Sequence, residues 1–172
     1  MDEKLLKLRA VELSDIDLIY KWENDISLWN VGGNRSFYSR YAIEEFVKNT
    51  QNLDVFASCQ VRNMVDVFED GIKTIGCVDL YEIDPQHNRA GVGIFIEKEF
   101  RNKHYAQQTL MKMEQYAKTI LNLHQVYAYV ACDNVASIAL FESQNYFSSA
   151  VLKQWIRKKE GYFDVKIYQK IL

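Results

Sequence analysis

Two carboxylates, one basic turn and a late asparagine are the residues of this chain whose types and spacing can do chemistry. Asp79 and Glu82 stand three positions apart in Gly76-Cys77-Val78-Asp79-Leu80-Tyr81-Glu82-Ile83. A strand carboxylate at a cleft can serve as general base, and one elsewhere is solvated or ion-paired; both readings stay open. The run Glu97-Lys98-Glu99-Phe100-Arg101-Asn102-Lys103-His104 is polar and basic. It joins a strand-like stretch to a helix-like one, where N–H groups and a helix dipole end meet, an arrangement that suits a phosphate. Asn134 is a helix-capping residue type just before an apolar stretch. His87 and His124 have no Ser, Asp or Cys arrangement around them, so neither a triad nor a metal site is expected.

The elements that must position these groups read as follows. Leu5 to Val11 alternates as a strand, and Ser14-Asp15-Ile16-Asp17 opens a helix with a capping box. The glycines of Leu28-Trp29-Asn30-Val31-Gly32-Gly33-Asn34-Arg35-Ser36 break regular structure, and a second helix runs from Tyr41 to Asn49. Strands follow at 55–62 and 64–69, with Asp70-Gly71 as a hairpin turn and Thr74–Ile83 as the return. On that strand the period of two sets Asp79 and Tyr81 on one face and Glu82 on the other. Arg89–Ile96 pairs with it antiparallel; its Gly91 and Gly93 suggest a bulge or a close backbone approach. From Tyr105 the period becomes helical, with Ala106, Leu110, Met113, Ala117 and Leu121 on one face. Then come a strand at Gln125–Cys132, a short helix with Ala136, Ala139 and Leu140 on one face, and two strands around Lys159-Glu160-Gly161. The order β-α-α-β-β-β-β-α-β-α-β-β is mixed α/β in one domain spanning 1–172.

The chain has 48% apolar and 26% charged residues and a formal net charge of −2, ordinary values for a soluble globular protein. That balance gives no reason to expect nucleic acid or an anionic membrane as partner. Cys59, Cys77 and Cys132 form no C-x-x-C pair and fall in predicted strands, so buried free thiols are expected. With no apolar run of about 18 residues and no signal-like start, the expected location is cytoplasmic. The sequence is silent on whether the chain is a monomer or a homo-oligomer.

Arg101-Asn102-Lys103-His104-Tyr105-Ala106 resembles the Q/R-x-x-G-x-G/A pyrophosphate loop of the GNAT N-acetyltransferases, with Arg101 and Ala106 matching and His104 in the place of a glycine. Leu8-Arg9, Gly76–Ile83, His87-Asn88-Arg89-Ala90 and Asn134-x-x-Ser137-x-x-Leu140-Phe141-Glu142 extend the resemblance over nearly the whole chain. Spermidine, diamine and ribosomal-protein acetyltransferases are the most similar branch. The resemblance implies a central, mostly antiparallel twisted sheet of about six to seven strands flanked by about four helices and splayed at an acetyl-CoA cleft. It implies acetyl-CoA as co-substrate, without a metal. Amides from Arg101 through Asn102, Lys103, His104 and Tyr105 to Ala106 would hold the pyrophosphate, and Ile94, Phe95 and Ile96 would pair with the pantetheine arm. A backbone N–H near Ile94 would stabilise the oxyanion, and Asn134 and Phe141 would lie near CoA.

Two departures bear on catalysis. The polyamine-type enzymes carry a glutamate where this chain has Gly91, which leaves Asp79 first and Glu82 second as candidate bases. They carry a tyrosine, proposed as general acid, where this chain has Phe141, which has no proton to give; Tyr146 and Tyr129 are the alternative donors, Tyr146 being better read as core. Trp29 and Asn30, with Tyr81 and Trp155, are the candidate acceptor-site residues. The expected reaction is direct attack of a primary amine on the thioester in a ternary complex. A polyamine or diamine is favoured as acceptor over a protein N-terminus or an amino sugar. A catalytically weak CoA-binding sensor or assembly module is the alternative of another class.

Overall fold

The structure is a computed structural model, and it describes residues 6–32, 36–52, 54–68 and 71–172. Leu5, Gly33, Asn34, Arg35, Glu69 and Asp70, all within the readings above, lie outside these, and only the backbone of Asn30, Val31 and Gly32 is described. Along the chain come β1 (Leu6–Ala10), α1 (Ile16–Glu23), α2 (Ile26–Gly32), α3 (Arg40–Asn52), α4 (Val55–Ser58), β2 (Val61–Phe68), β3 (Ile72–Asp84) and β4 (Arg89–Ile96). Then follow α5 (Tyr105–Thr119), β5 (Gln125–Ala131), α6 (Val135–Ser143), β6 (Phe147–Lys158) and β7 (Gly161–Ile171). The seven strands form one sheet in the order β1-β2-β3-β4-β5-β7-β6, antiparallel throughout except where β4 meets β5. None of the described helices is long and apolar enough to cross a membrane.

Two apolar layers hold the sheet. Against one face pack Leu110, Met113 and Ala117 of α5, over Val78, Leu80, Ala90, Val92, Ile96, Val126, Ala128 and Val130. These are alternate positions of their strands, the set that points to one face of a sheet. On the opposite face Ile16, Ile19 and Trp22 of α1 and Ile43 and Val47 of α3 cover Met64, Cys77 and, in part, Phe95. The Trp22 indole meets Phe95 edge-on at 5.1 Å and donates to Glu97 Oε1 at 2.7 Å, which ties α1 to the end of β4.

Several expectations are corrected. The first helix is not capped at Ser14: Glu12 caps a short 3-10 turn whose Asp15 carboxylate accepts the Glu12 N–H. Arg9 forks onto Asp15 and reaches Asp66 and Thr74, which pins that turn to β1 and β2. Backbone read as irregular around Trp29 is helical in α2. Val55-Phe56-Ala57-Ser58, read as strand, is a helical turn, because Asp54 caps the Phe56 N–H at 2.8 Å and Cys59 ends it in left-handed geometry at φ 53°. In α6 it is Phe141 that is buried, whereas Ala136 and Ala139 are exposed.

Only one cysteine is the expected buried strand thiol. Cys77 is buried in β3, Cys59 is exposed and Cys132 is half-buried. Burial, then the Asp79 charge, pushes the Cys77 thiol up to about 12. Ellman's reagent on the native protein at pH 8 should therefore modify Cys59 within minutes and leave Cys77 unmodified until the chain is unfolded.

Candidate active site

The strand β4 and the parallel strand β5 pair over only three positions, Arg89 with Gln125, Ala90 with Val126 and Gly91 with Tyr127. Beyond Gly91, β4 keeps its partner β3 as far as Ile96, and beyond Tyr127, β5 keeps its partner β7 as far as Ala131. The two strands therefore part, and the β4 edge carrying Ile94, Phe95 and Ile96 faces a gap into which an extended chain can hydrogen-bond. A connection from the end of β4 then leads into α5, whose backbone is left-handed at Asn102 (φ 61°) and His104 (φ 62°). That tight turn opens α5, whose N-terminal end carries the positive pole of the helix dipole. The Arg101 Nε donates to the Ile96 carbonyl at 2.9 Å, and the Lys103 ammonium lies 5.5 Å from the centre of the Phe100 ring.

His104 thus adopts the conformation for which glycine is the usual residue. The His104 Nδ1 lies 2.6 Å from Gln107 Oε1, and Gln107 Nε2 donates to Ser143 Oγ at 3.1 Å, linking the first turn of α5 to the end of α6. Gln107 had no signal in the sequence, since its role comes from a contact across 36 positions. His104→Gly should relieve the backbone and raise stability by about 0.5–1 kcal/mol, read by thermal unfolding.

The candidate carboxylates have different surroundings. Both Asp79 oxygens are taken by the Arg62 guanidinium, at 2.7 Å from Nε and 3.0 Å from Nη2. Arg62 also reaches Glu23 Oε1 at 2.7 Å and lies 5.2 Å from the Phe46 ring centre, so this half-buried network joins β2, β3, α1 and α3. Glu82 is not where the period of two put it. The β3–β4 register shifts between Tyr81 and Asp84, and Glu82 has φ 50°; the bulge turns its carboxylate to the Tyr127 hydroxyl, which donates to Oε2 at 2.7 Å. Tyr127 is edge-on to both Tyr81 and Tyr129, with ring centres 6.3 and 5.6 Å away. Glu82 thereby joins the face that carries Tyr81.

The remaining candidates are scattered. Trp29 is half-buried in α2, donating to the Glu23 carbonyl at 2.9 Å and tilted against Phe37. Trp155 is exposed on β6, separated from β5 by β7. Asn134 caps α6, accepting the Ser137 N–H at 3.1 Å. Phe141 is core, stacked on Tyr168 and edge-on to Tyr146, and Tyr146 is equally buried. Tyr129 is 46% exposed beside the gap.

Comparison with known proteins places this architecture. The acetyltransferase (GNAT) domain matches residues 6–145. The chain belongs to the GNAT acetyltransferase family. The spermidine N(1)-acetyltransferase of Vibrio cholerae serotype O1 is 30% identical to this GNAT chain over 165 residues, covering 94% of this chain and 90% of the relative. The spermidine N(1)-acetyltransferase of Escherichia coli K12 is 28% identical over 136 residues, 79% of this chain and 69% of the relative. The crystal structure of the Vibrio cholerae spermidine N-acetyltransferase in complex with CoA and spermine superposes with a TM-score of 0.87 at 27% identity, covering 97% of this chain and 95% of that one. This GNAT protein is an N-acetyltransferase with acetyl-CoA as co-substrate. The strand gap and the left-handed turn before α5 fit that molecule, an extended arm and a pyrophosphate.

Proposed function

We propose that this acetyltransferase transfers acetyl from acetyl-CoA to a primary amine of a polyamine, by direct attack in a ternary complex. The observation that carries the reading is the likeness over 94% of the chain to a spermidine N(1)-acetyltransferase, supported by the structural neighbour that holds CoA and spermine. In this reading the amides of 101–106 hold the pyrophosphate, Ile94–Ile96 pair with the pantetheine arm, and an N–H near Ile94 meets the developing oxyanion. Glu82 is the better placed base: it is exposed and shares a face with the tyrosines, whereas Asp79 is committed to Arg62. The CoA thiolate leaves toward α6 without help from Phe141, and Tyr129 is the hydroxyl at hand beside the gap.

A thiol-release assay with acetyl-CoA against spermidine, spermine, amino sugars and short peptides tests this, run beside acetyl-CoA calorimetry. Turnover confined to polyamines is expected. Turnover on peptides alone would replace the acceptor, and tight binding without turnover on any amine would mark a CoA-binding module in place of an enzyme.

A further inference from the structure

Tyr81 of β3 stands opposite Gly91 of β4 in the sheet register, and its ring lies across that glycine. A Cβ at position 91 would stand 2.2 Å from Tyr81 Cε2, 2.4 Å from Cζ and 2.7 Å from Cδ2. The same ring passes 3.8 Å from the corresponding point at Gly93. Two glycines two positions apart leave one face of β4 bare where β5 departs, and Tyr81 roofs that bare track. Its ring is edge-on to Tyr127, the β5 residue of the last β4–β5 pair. Burial, followed by the Glu82 charge, pushes this phenol up to about 12, so it stays neutral through the physiological range.

The other face of β4 at this point is closed: Ala90 and Val92 are buried in the layer under α5. An acceptor amine bound for the gap must arrive on the face of Tyr81. We propose that Tyr81 sets acceptor selectivity: its ring fills the space over Gly91 and ends at the edge of Gly93, leaving beside Gly93 a slot that admits an unbranched –CH2–NH2 terminus and rejects an amine on a branched carbon. This rests on the polyamine reading above and adds a residue and a steric rule to it. A methyl group that a pocket cannot house is worth about 10–200-fold in kcat/KM.

The test compares spermidine with a spermidine carrying a methyl group on both amine-bearing terminal carbons, in the full-length wild type, Tyr81→Ala and Tyr81→Phe. Wild type should prefer the unbranched amine by about 100-fold, Tyr81→Phe should keep that ratio, and Tyr81→Ala should cut it at least about tenfold. An unchanged ratio in a folded Tyr81→Ala overturns the proposal. Should Tyr81→Ala not fold, Gly93→Ala serves instead, since its methyl has room beside the ring. It should lower kcat/KM for spermidine at least about tenfold with the melting temperature retained, and an unaltered value overturns the proposal. If wild type turns over another amine class in place of polyamines, the polyamine reading falls and the same comparison is made with that amine and its branched analogue. No turnover on any amine removes both.

Discussion

Gly91→Ala lowers stability by about 2–3 kcal/mol, and Tyr81→Ala in the same chain removes most of that cost. The added methyl carbon would stand 2.2 Å from the Tyr81 ring, a distance that forces the ring or β4 to shift, and overpacking of this kind typically costs about 1–3 kcal/mol. The ring has little freedom to yield, being edge-on to Tyr127, which in turn is fixed by its hydrogen bond to Glu82. Urea unfolding of the four chains of the double-mutant cycle reads the effect as midpoint shifts at constant slope. A coupling of about 2 kcal/mol is expected; additive costs would show that the ring does not fill the space over position 91.

Glu82→Gln and Asp79→Asn should fail in different ways. Glu82 is exposed, so its amide variant should keep the unfolding midpoint within about 0.5 kcal/mol and lose about 100-fold in kcat if Glu82 takes the proton from the amine. Asp79→Asn removes the charge that faces a half-buried guanidinium, and breaking such a pair one-sidedly costs about 2–3 kcal/mol once partial exposure is allowed for. Its loss of activity should follow the loss of folded protein, and turnover per folded molecule should stay near wild type. A stable Asp79→Asn with abolished turnover would exchange the two roles.

The sequence carried the parts of this structure that depend on local period and residue type. The change from alternation in β4 to a helical stripe in α5 fixed the strand–turn–helix unit, and His104 stood out as an L-residue where a glycine is favoured, which its φ of 62° explains. The glycine pair of β4 suggested a bulge or a close backbone approach, and what comes close at Gly91 is instead a side chain, the Tyr81 ring. What escaped depends on contacts. The short apolar run at Val55 is compatible with strand or helix until the Asp54 cap decides. The commitment of Asp79 to Arg62 spans 17 positions and exists only because β2 and β3 pair in one register. The bulge at Glu82 has no glycine or proline to announce it, so a strict period of two put the carboxylate on the wrong face.

The sheet is two plates joined along a seam of three residue pairs: β1 to β4 make one plate, β5 to β7 the other. Apart from that seam, the Tyr127–Glu82 hydrogen bond joins them, and so does α5, which packs on β1, β3 and β4 and pairs its Glu114 with Lys170 of β7. A ligand lying between the diverging strands acts as mortar, extending the seam by several backbone bonds. Binding would therefore stabilise the fold by mass action, through bonds that tie the two plates together. Without it, amides of β5 that face β4 past Tyr127 should exchange with solvent faster than those facing β7, and acetyl-CoA should slow the first set selectively.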